Sequence, residues 1–170
     1  MKIIDIHTHI YPDKIAARAV AGTDAFYGTT ARCPSGTVGE LLEVGTKAGT
    51  DHFIVQSVAT TPKQVRSINE FIAASVASAE GKLTGLGTMH PECEDIDGEI
   101  THLMELGLKG IKIHPDYMKA EIDSEKFTPI FKACEERNLF VITHAGFDPV
   151  EPNHIHCTPD MMLRVIDRHP

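Results

Sequence analysis

The sequence predicts an α/β fold in which short parallel strands alternate with amphipathic helices. Three observations predict it. Apolar runs of strand length recur at about 3–10, 52–58, 83–90, 109–114 and 139–145. The stretches between them carry apolar residues at three- and four-residue spacing behind helix-starting signals. Strand, helix and strand in repeated succession bring parallel pairing through right-handed crossovers.

In the first run, strand alternation places Ile4, Ile6, Thr8 and Ile10 on one face and Ile3, Asp5, His7 and His9 on the other. Residues 20–36, rich in Gly and Thr, read as the one long irregular stretch, a loop that covers an active face. Thr37-Val-Gly-Glu40 has the form of a capping box and starts a helix carrying Leu41, Leu42, Gly45 and Ala48. Thr61-Pro62-Lys63-Gln64 starts the next, whose buried stripe is Val65, Ile68, Ile72, Val76 and Ala79 and whose stop is Gly81. A third spans about Asp95–Leu106 and buries Ile96, Ile100 and Leu103. The fourth starts near Asp123 and buries Phe127, Ile130, Phe131 and Cys134. The fifth opens at Thr158-Pro159 and buries Met162, Val165 and Ile166.

The polar residues inside the strands select the architecture. Ile111 and Ile113 oppose Lys112 and His114, as Ile4 and Ile6 oppose Asp5, His7 and His9. One face is apolar and the other turns polar toward the C-terminal strand ends, as in a barrel interior beneath an active site. A sheet covered by helices on both faces would be apolar on both. The expectation is a (β/α)8 TIM-barrel type of fold, present as about five βα units, with Ile4, Ile6, Ile111, Ile113 and Val141 outward against the helices. A full barrel takes roughly 250 residues, so residues 1–170 read as a single domain, the N-terminal portion of an incomplete barrel. Its first and fifth strands become open edges, and the chain is expected to form a homo-oligomer.

With 42% hydrophobic and 24% charged residues the 170-residue chain has a globular composition. Its net charge of −8 argues against nucleic acid or an anionic membrane as the main partner, and a small-molecule substrate is expected. No apolar run approaches the ~20 residues of a membrane helix, and Asp5 arrives too early for a signal peptide, so a cytoplasmic location is expected. Cys33, Cys93, Cys134 and Cys157 are far apart and read as reduced thiols.

The chemistry concentrates on histidine. His7 and His9, two apart on a strand, send both imidazoles from one face and can lean onto one metal ion, with Asp5 orienting a ligand from behind. His144, at the end of the fifth strand, can face them across the barrel mouth. Lys112, turned into a barrel, needs a counter-charge such as Asp5 or Asp116, a substrate anion, or carbamylation. His114 lines the same mouth, and Asp116 and Asp148 follow the fourth and fifth strands closely enough to reach substrate or metal. His90 repeats the strand-end His-Pro pattern. His154 and His156 lie among Pro and Asn and read as a surface loop, with Cys157 a plain loop thiol beside them.

At Asp5-Ile-His-Thr-His-Ile-Tyr-Pro12 the sequence resembles the amidohydrolase superfamily, in the branch related to aminocarboxymuconate semialdehyde decarboxylase. Gly110–Pro115 and Thr143-His144-Ala145-Gly146 match that branch in order and spacing. The resemblance implies a (β/α)8 barrel and a divalent metal, usually zinc, with His7, His9 and His144 as ligands. It also implies a sixth-strand histidine and an eighth-strand aspartate, which these 170 residues do not include, so a shortened form is expected. For the complete protein the expectation is metal-dependent hydrolysis of a small carboxylate, amide or lactone through a metal-activated water, with Lys112, His114 and Asp116 as catalytic candidates. The alternatives are non-oxidative decarboxylation at the same site, or a fragment without turnover that binds metal or a partner.

Overall fold

The computed structural model describes residues 1–170. The chain runs β1 (Ile4–His9), α1 (Ala16–Tyr27), α2 (Val38–Ala48), β2 (His52–Gln56), α3 (Val65–Ser78), β3 (Leu83–Gly85), β4 (Gly87–Thr88), α4 (Ile96–Glu105), β5 (Gly110–Ile113), α5 (Pro115–Met118), α6 (Thr128–Glu136), β6 (Phe140–Thr143) and α7 (Pro159–Arg168). Every strand pair is parallel. The sheets are two, ordered β1-β2-β3 and β4-β5-β6. They meet in the third apolar run, which changes partners at Leu86. Leu86 N–H donates to Val55 of β2, while the carbonyl of Gly85 accepts from Lys109, just before β5. The five predicted strands are thus present, the third shared between two sheets.

The helix signals act as their chemistry dictates. Thr37 Oγ1 accepts the Glu40 N–H, and the Glu40 carboxylate reaches past Thr37 to the N–H groups of Ser35 and Gly36. Gln64 accepts from the Thr60 and Thr61 N–H groups and holds a 3-10 turn at Pro62–Gln64 in front of α3. Asp95 and Thr158 cap α4 and α7. The apolar stripes meet the outer side of the sheets in a core that includes Phe53, Val55, Ile72, Ile100, Ile111, Ile113 and Ile130. Asn69 of α3, fully buried, exchanges two hydrogen bonds with the backbone of Thr88 and supplies partners that a strand so short lacks.

Four expectations need correction. Residues 20–36 are not one loop, because α1 reaches Tyr27 before Gly28, at φ 64°, ends it. Ala16, Ala17, Ala19 and Ala21 favour the helix, and the Gly and Thr among them do not break it. The fourth helix begins at Thr128, after turns that bury Ile122 and Phe127. Ile166 lies 53% exposed on α7 rather than in its buried stripe.

The fourth correction concerns β1. Asp5 is in register with Phe53 of β2 and Thr8 with Val55, so β1 holds one extra residue between them, a bulge. Phe53 and Val55 both face the helices, and the bulge reverses the parity of β1. Ile4 registers with His52, which turns inward, and Asp5 with core-facing Phe53. Ile4 and Ile6 are 54% and 61% exposed and do not pack on helices. In β5 and β6 the alternation holds, with Ile111 and Ile113 fully buried and Val141 against the same core.

Gly110 of β5 is in register with Phe140 of β6. A Cβ there would overlap the carbonyl oxygen of Phe140, a backbone atom that cannot swing away. Gly110→Ala is therefore expected to destabilise the fold by about 1–3 kcal/mol, read as a lower urea midpoint. A midpoint at or above that of the parent would show that the two strands separate freely.

Candidate active site

Strand register decides which side chains share the inner face. His9 pairs with Gln56, Thr88 with Lys112, and Lys112 with Ile142. One position further, the His144 N–H bonds to the carbonyl of Ile113 and sets His144 beside His114. These strand ends open into a cavity of about 730 Å³ lined by His7, His9, Lys112, His114, Tyr117 and His144. Its roof comes from Ile15 and, on α1, from Ala19, Thr23 and Tyr27, and its apolar wall from Val58, Ile68 and Phe71. α1 does cover the site, as a helix.

His7 and His9 stand with their Nε2 atoms 3.1 Å apart. Two ligands about 2.1 Å from one tetrahedral ion lie roughly 3.4 Å apart, so the pair is nearly set for a shared cation. His9 meets water on its cavity side, yet protein atoms crowd the ring. That crowding, then the nearby His7 and Lys112, lowers its pKa to about 4 against a raising hydrogen bond with the Gln56 backbone. Burial lowers His7 as well, followed by Lys112. Neutral imidazoles are what a metal ion requires.

The ring of His114 is sandwiched, 3.8 Å from Tyr117 and 4.1 Å from His144, each within 5° of parallel. Burial and then His144 lower its pKa to about 4, although Asp148 and Asp116 pull the other way. Nε2 of His114 and Nε2 of His144 lie 3.6 and 3.8 Å from Oδ2 of Asp148. The donors of these three residues all fall within 4.8 Å of one another, close enough for a metal ion. Stacked parallel rings cannot aim both lone pairs at one ion, so binding there requires one ring to turn out of the stack. Asp148 is also held by Tyr27, whose hydroxyl donates to Oδ2 at 2.8 Å and meets the hydroxyl of Tyr117 at 2.7 Å.

Lys112 is 3% exposed and has neither an ion pair nor a hydrogen bond for its ammonium, which opens onto the cavity. Neither Asp5 nor Asp116 neutralises it, and burial lowers its pKa. Polar atoms of four nearby side chains are also buried without hydrogen-bond partners: Nε2 and Oε1 of Gln56, Nδ1 of His114, Oδ2 of Asp116 and Nε2 of His144.

Of the residues singled out in the sequence, His7, His9, Lys112, His114 and His144 line the one cavity. Asp116 does not; it is fully buried behind His114. Asp5 faces away across the bulge, and His90 is buried elsewhere, accepting the Glu92 N–H. His156 is corrected from the surface to the interior, with Nδ1 3.1 Å from Oδ1 of Asp116, while His154 remains exposed. All four cysteines are free; Cys157 is fully buried, and burial pushes its thiol up to about 11, the state of an inert group. Sequence reading missed Tyr27, Tyr117 and Gln56. No local signal marks them, because Tyr27 meets partners 90 and 121 residues away.

Comparison with known families and structures places this geometry. The family model described as amidohydrolase matches residues 4–170. The 5-carboxyvanillate decarboxylase LigW of Sphingomonas paucimobilis is 21% identical and superposes with a TM-score of 0.72 over 99% of this chain and 65% of its own. The 5-carboxyvanillate decarboxylase of Novosphingobium aromaticivorans, solved with manganese and 4-hydroxy-3-methoxy-5-nitrobenzoic acid, gives 20%, 0.69, 88% and 52%. A 2,6-dihydroxybenzoate decarboxylase complexed with 2,6-dihydroxybenzoate gives 13%, 0.64, 100% and 65%. This chain spans between about half and two-thirds of these structures, and its parallel βα units are part of their barrel fold. No curated protein matches the sequence. No helix is long and apolar enough to cross a membrane.

A buried ammonium without a partner is a liability to the fold. Lys112→Met keeps the aliphatic stem and removes the charge. It is expected to stabilise the chain by roughly 1–3 kcal/mol, a rise in Tm of about 2–4 °C per kcal/mol. A lower Tm would mean that the ammonium has a partner in solution.

Proposed function

Because this chain belongs to the amidohydrolase family, we propose that it carries the cation-binding face of a metal-dependent, non-oxidative decarboxylase of small aromatic carboxylates. One observation carries the reading. The unpaired Lys112 ammonium opens into a cavity that holds four imidazoles on one side and Ile68 and Phe71 on the other. An anionic group on a single flat ring suits both walls and the volume. The named activities of the structural neighbours point the same way.

His7, His9 and His144 are the residues that would hold the metal. Their donor set fits one: two Nε2 atoms 3.1 Å apart, and a third Nε2 buried without a partner. A divalent cation, manganese or zinc, supplies a Lewis acid for a substrate oxygen when bound. Lys112 binds the anionic group and orients the ring, a task that needs only its charge and its fixed stem. The apolar wall and the α1 roof exclude water from the ring. His114, kept neutral by its surroundings, takes a proton at Nε2 from a substrate hydroxyl and returns it to the ring carbon, where a C–H bond replaces the C–C bond to departing carbon dioxide.

The same imidazole can take its proton from a water, and the family's name favours that second reading, hydrolysis of an amide or lactone. Incubation with hydroxybenzoates, and separately with amides and lactones, in manganese or zinc separates the two. Carbon dioxide release that stops on chelation is expected; hydrolysis without it would give the second reading. Lys112→Met is expected to weaken binding of the aromatic carboxylate by about 10- to 100-fold, the loss of one charged hydrogen bond. Unchanged binding, measured by calorimetry, would remove Lys112 from the substrate.

A further inference from the structure

Asp116 and His156 lie outside the cavity, yet two buried groups without partners connect them to it. Nδ1 of His114 and Oδ2 of Asp116 are both buried and unsatisfied, and they face each other at 3.7 Å. A water bridging two such atoms at a tetrahedral angle holds them about 4.5 Å apart, so none fits. Each is the other's available partner, and a closure of less than 1 Å makes the hydrogen bond. On its far side Asp116 is fixed, because His156 Nδ1 donates to Oδ1 at 3.1 Å from a buried ring. Across the His114 ring, Nε2 faces Asp148 and lies beside Nε2 of His144.

We propose that Asp116 and His156 are positioning residues that fix the proton of His114 on Nδ1 and leave Nε2 as a lone pair toward the cavity. The carboxylate of Asp116 can only accept, so its contact selects the Nδ1–H tautomer. His156 holds the carboxylate so that Oδ2, and not Oδ1, meets His114. The Nε2 lone pair of His114 then lies beside Nε2 of His144 and Oδ2 of Asp148 without a proton of its own. Carboxylates behind imidazoles play this part at metal sites, and the inference rests on the reading that His114 serves the cavity through Nε2.

The arrangement makes a directional forecast. In Asp116→Asn, His156 still donates to Oδ1, which turns the side-chain NH2 toward His114. His114 Nδ1 must then accept, and its proton moves to Nε2.

Nitrogen-15 NMR of the histidine-labelled full chain, without metal or substrate at pH 7.5, reads this directly, with His114→Gln identifying the resonances. In the parent protein the His114 Nδ1 is expected to appear protonated and Nε2 unprotonated. In Asp116→Asn the two are expected to exchange character, with an unchanged circular dichroism spectrum. His156→Ala, which frees the carboxylate to rotate, is expected to give a mixture of the two forms. A parent His114 protonated on Nε2 or on both nitrogens would overturn the proposal, as would an Asn variant or His156→Ala that leaves the parent pattern intact. Should Asp116→Asn fail to fold, the parent spectrum and His156→Ala still decide. No catalysis enters the measurement, so its outcome is independent of whether the protein decarboxylates.

Discussion

The site depends on one geometric constraint: β5 is a strand with opposite duties on its two faces. Ile111 and Ile113 are fully buried against the helices, and Lys112 and His114 project the other way. A strand alternates strictly, so the apolar residues that bury β5 in the core also determine where the ammonium and the imidazole point. Burying two isoleucines holds Lys112 in a place it would not choose for itself. At about 25 cal/mol per Å² of apolar area, those two side chains contribute several kcal/mol, enough to outweigh the cost of one charge that keeps access to a wet cavity. Packing stabilises the geometry and the site spends part of that stability.

Around β5 the imidazoles are kept neutral by crowding. His7, His9 and His114 are all lowered chiefly by burial, with neighbouring positive or potentially positive groups adding to it. A collection of nitrogen donors that close would repel itself if protonated. Held neutral, it is a set of lone pairs awaiting a cation. The stacking of His114 between Tyr117 and His144 adds rigidity without hydrogen bonds, leaving the ring nitrogens for chemistry.

How much of this was readable in the sequence varies with the distance over which each feature is decided. Helix starts such as Thr37, Asp95 and Thr158 are local decisions, and each caps as its residue type implies. His7, His9, Lys112, His114 and His144 sit at strand ends, where alternation plus a parallel fold predicts a shared face, and the cavity gathers all five. The bulge in β1 was invisible because one inserted residue leaves the apolar pattern of Ile4, Ile6 and Ile10 looking like an unbroken strand; only the register with Phe53 and Val55 exposes it. His156 was misplaced because Pro and Asn neighbours report backbone turns and not depth. Its burial is decided by Asp116, forty residues away. Tyr27 illustrates the same limit, since two phenols and a carboxylate from three elements meet only in three dimensions.

The change of partners at Leu86 bears on how such a site can be altered. His7 and His9 belong to the first sheet, and His114 and His144 to the second or its immediate end. The run Leu83–Thr88 is the one strand segment common to both sheets, so it acts as the ruler that spaces the two histidine pairs. Gly85 and Gly87 let Ile72, Leu108 and Leu103 press directly on that ruler, where any Cβ would push them back. Substitutions in this segment therefore shift both pairs relative to each other while touching neither. Retuning the distance between two halves of a coordination sphere is then a matter for six residues that carry no chemistry of their own.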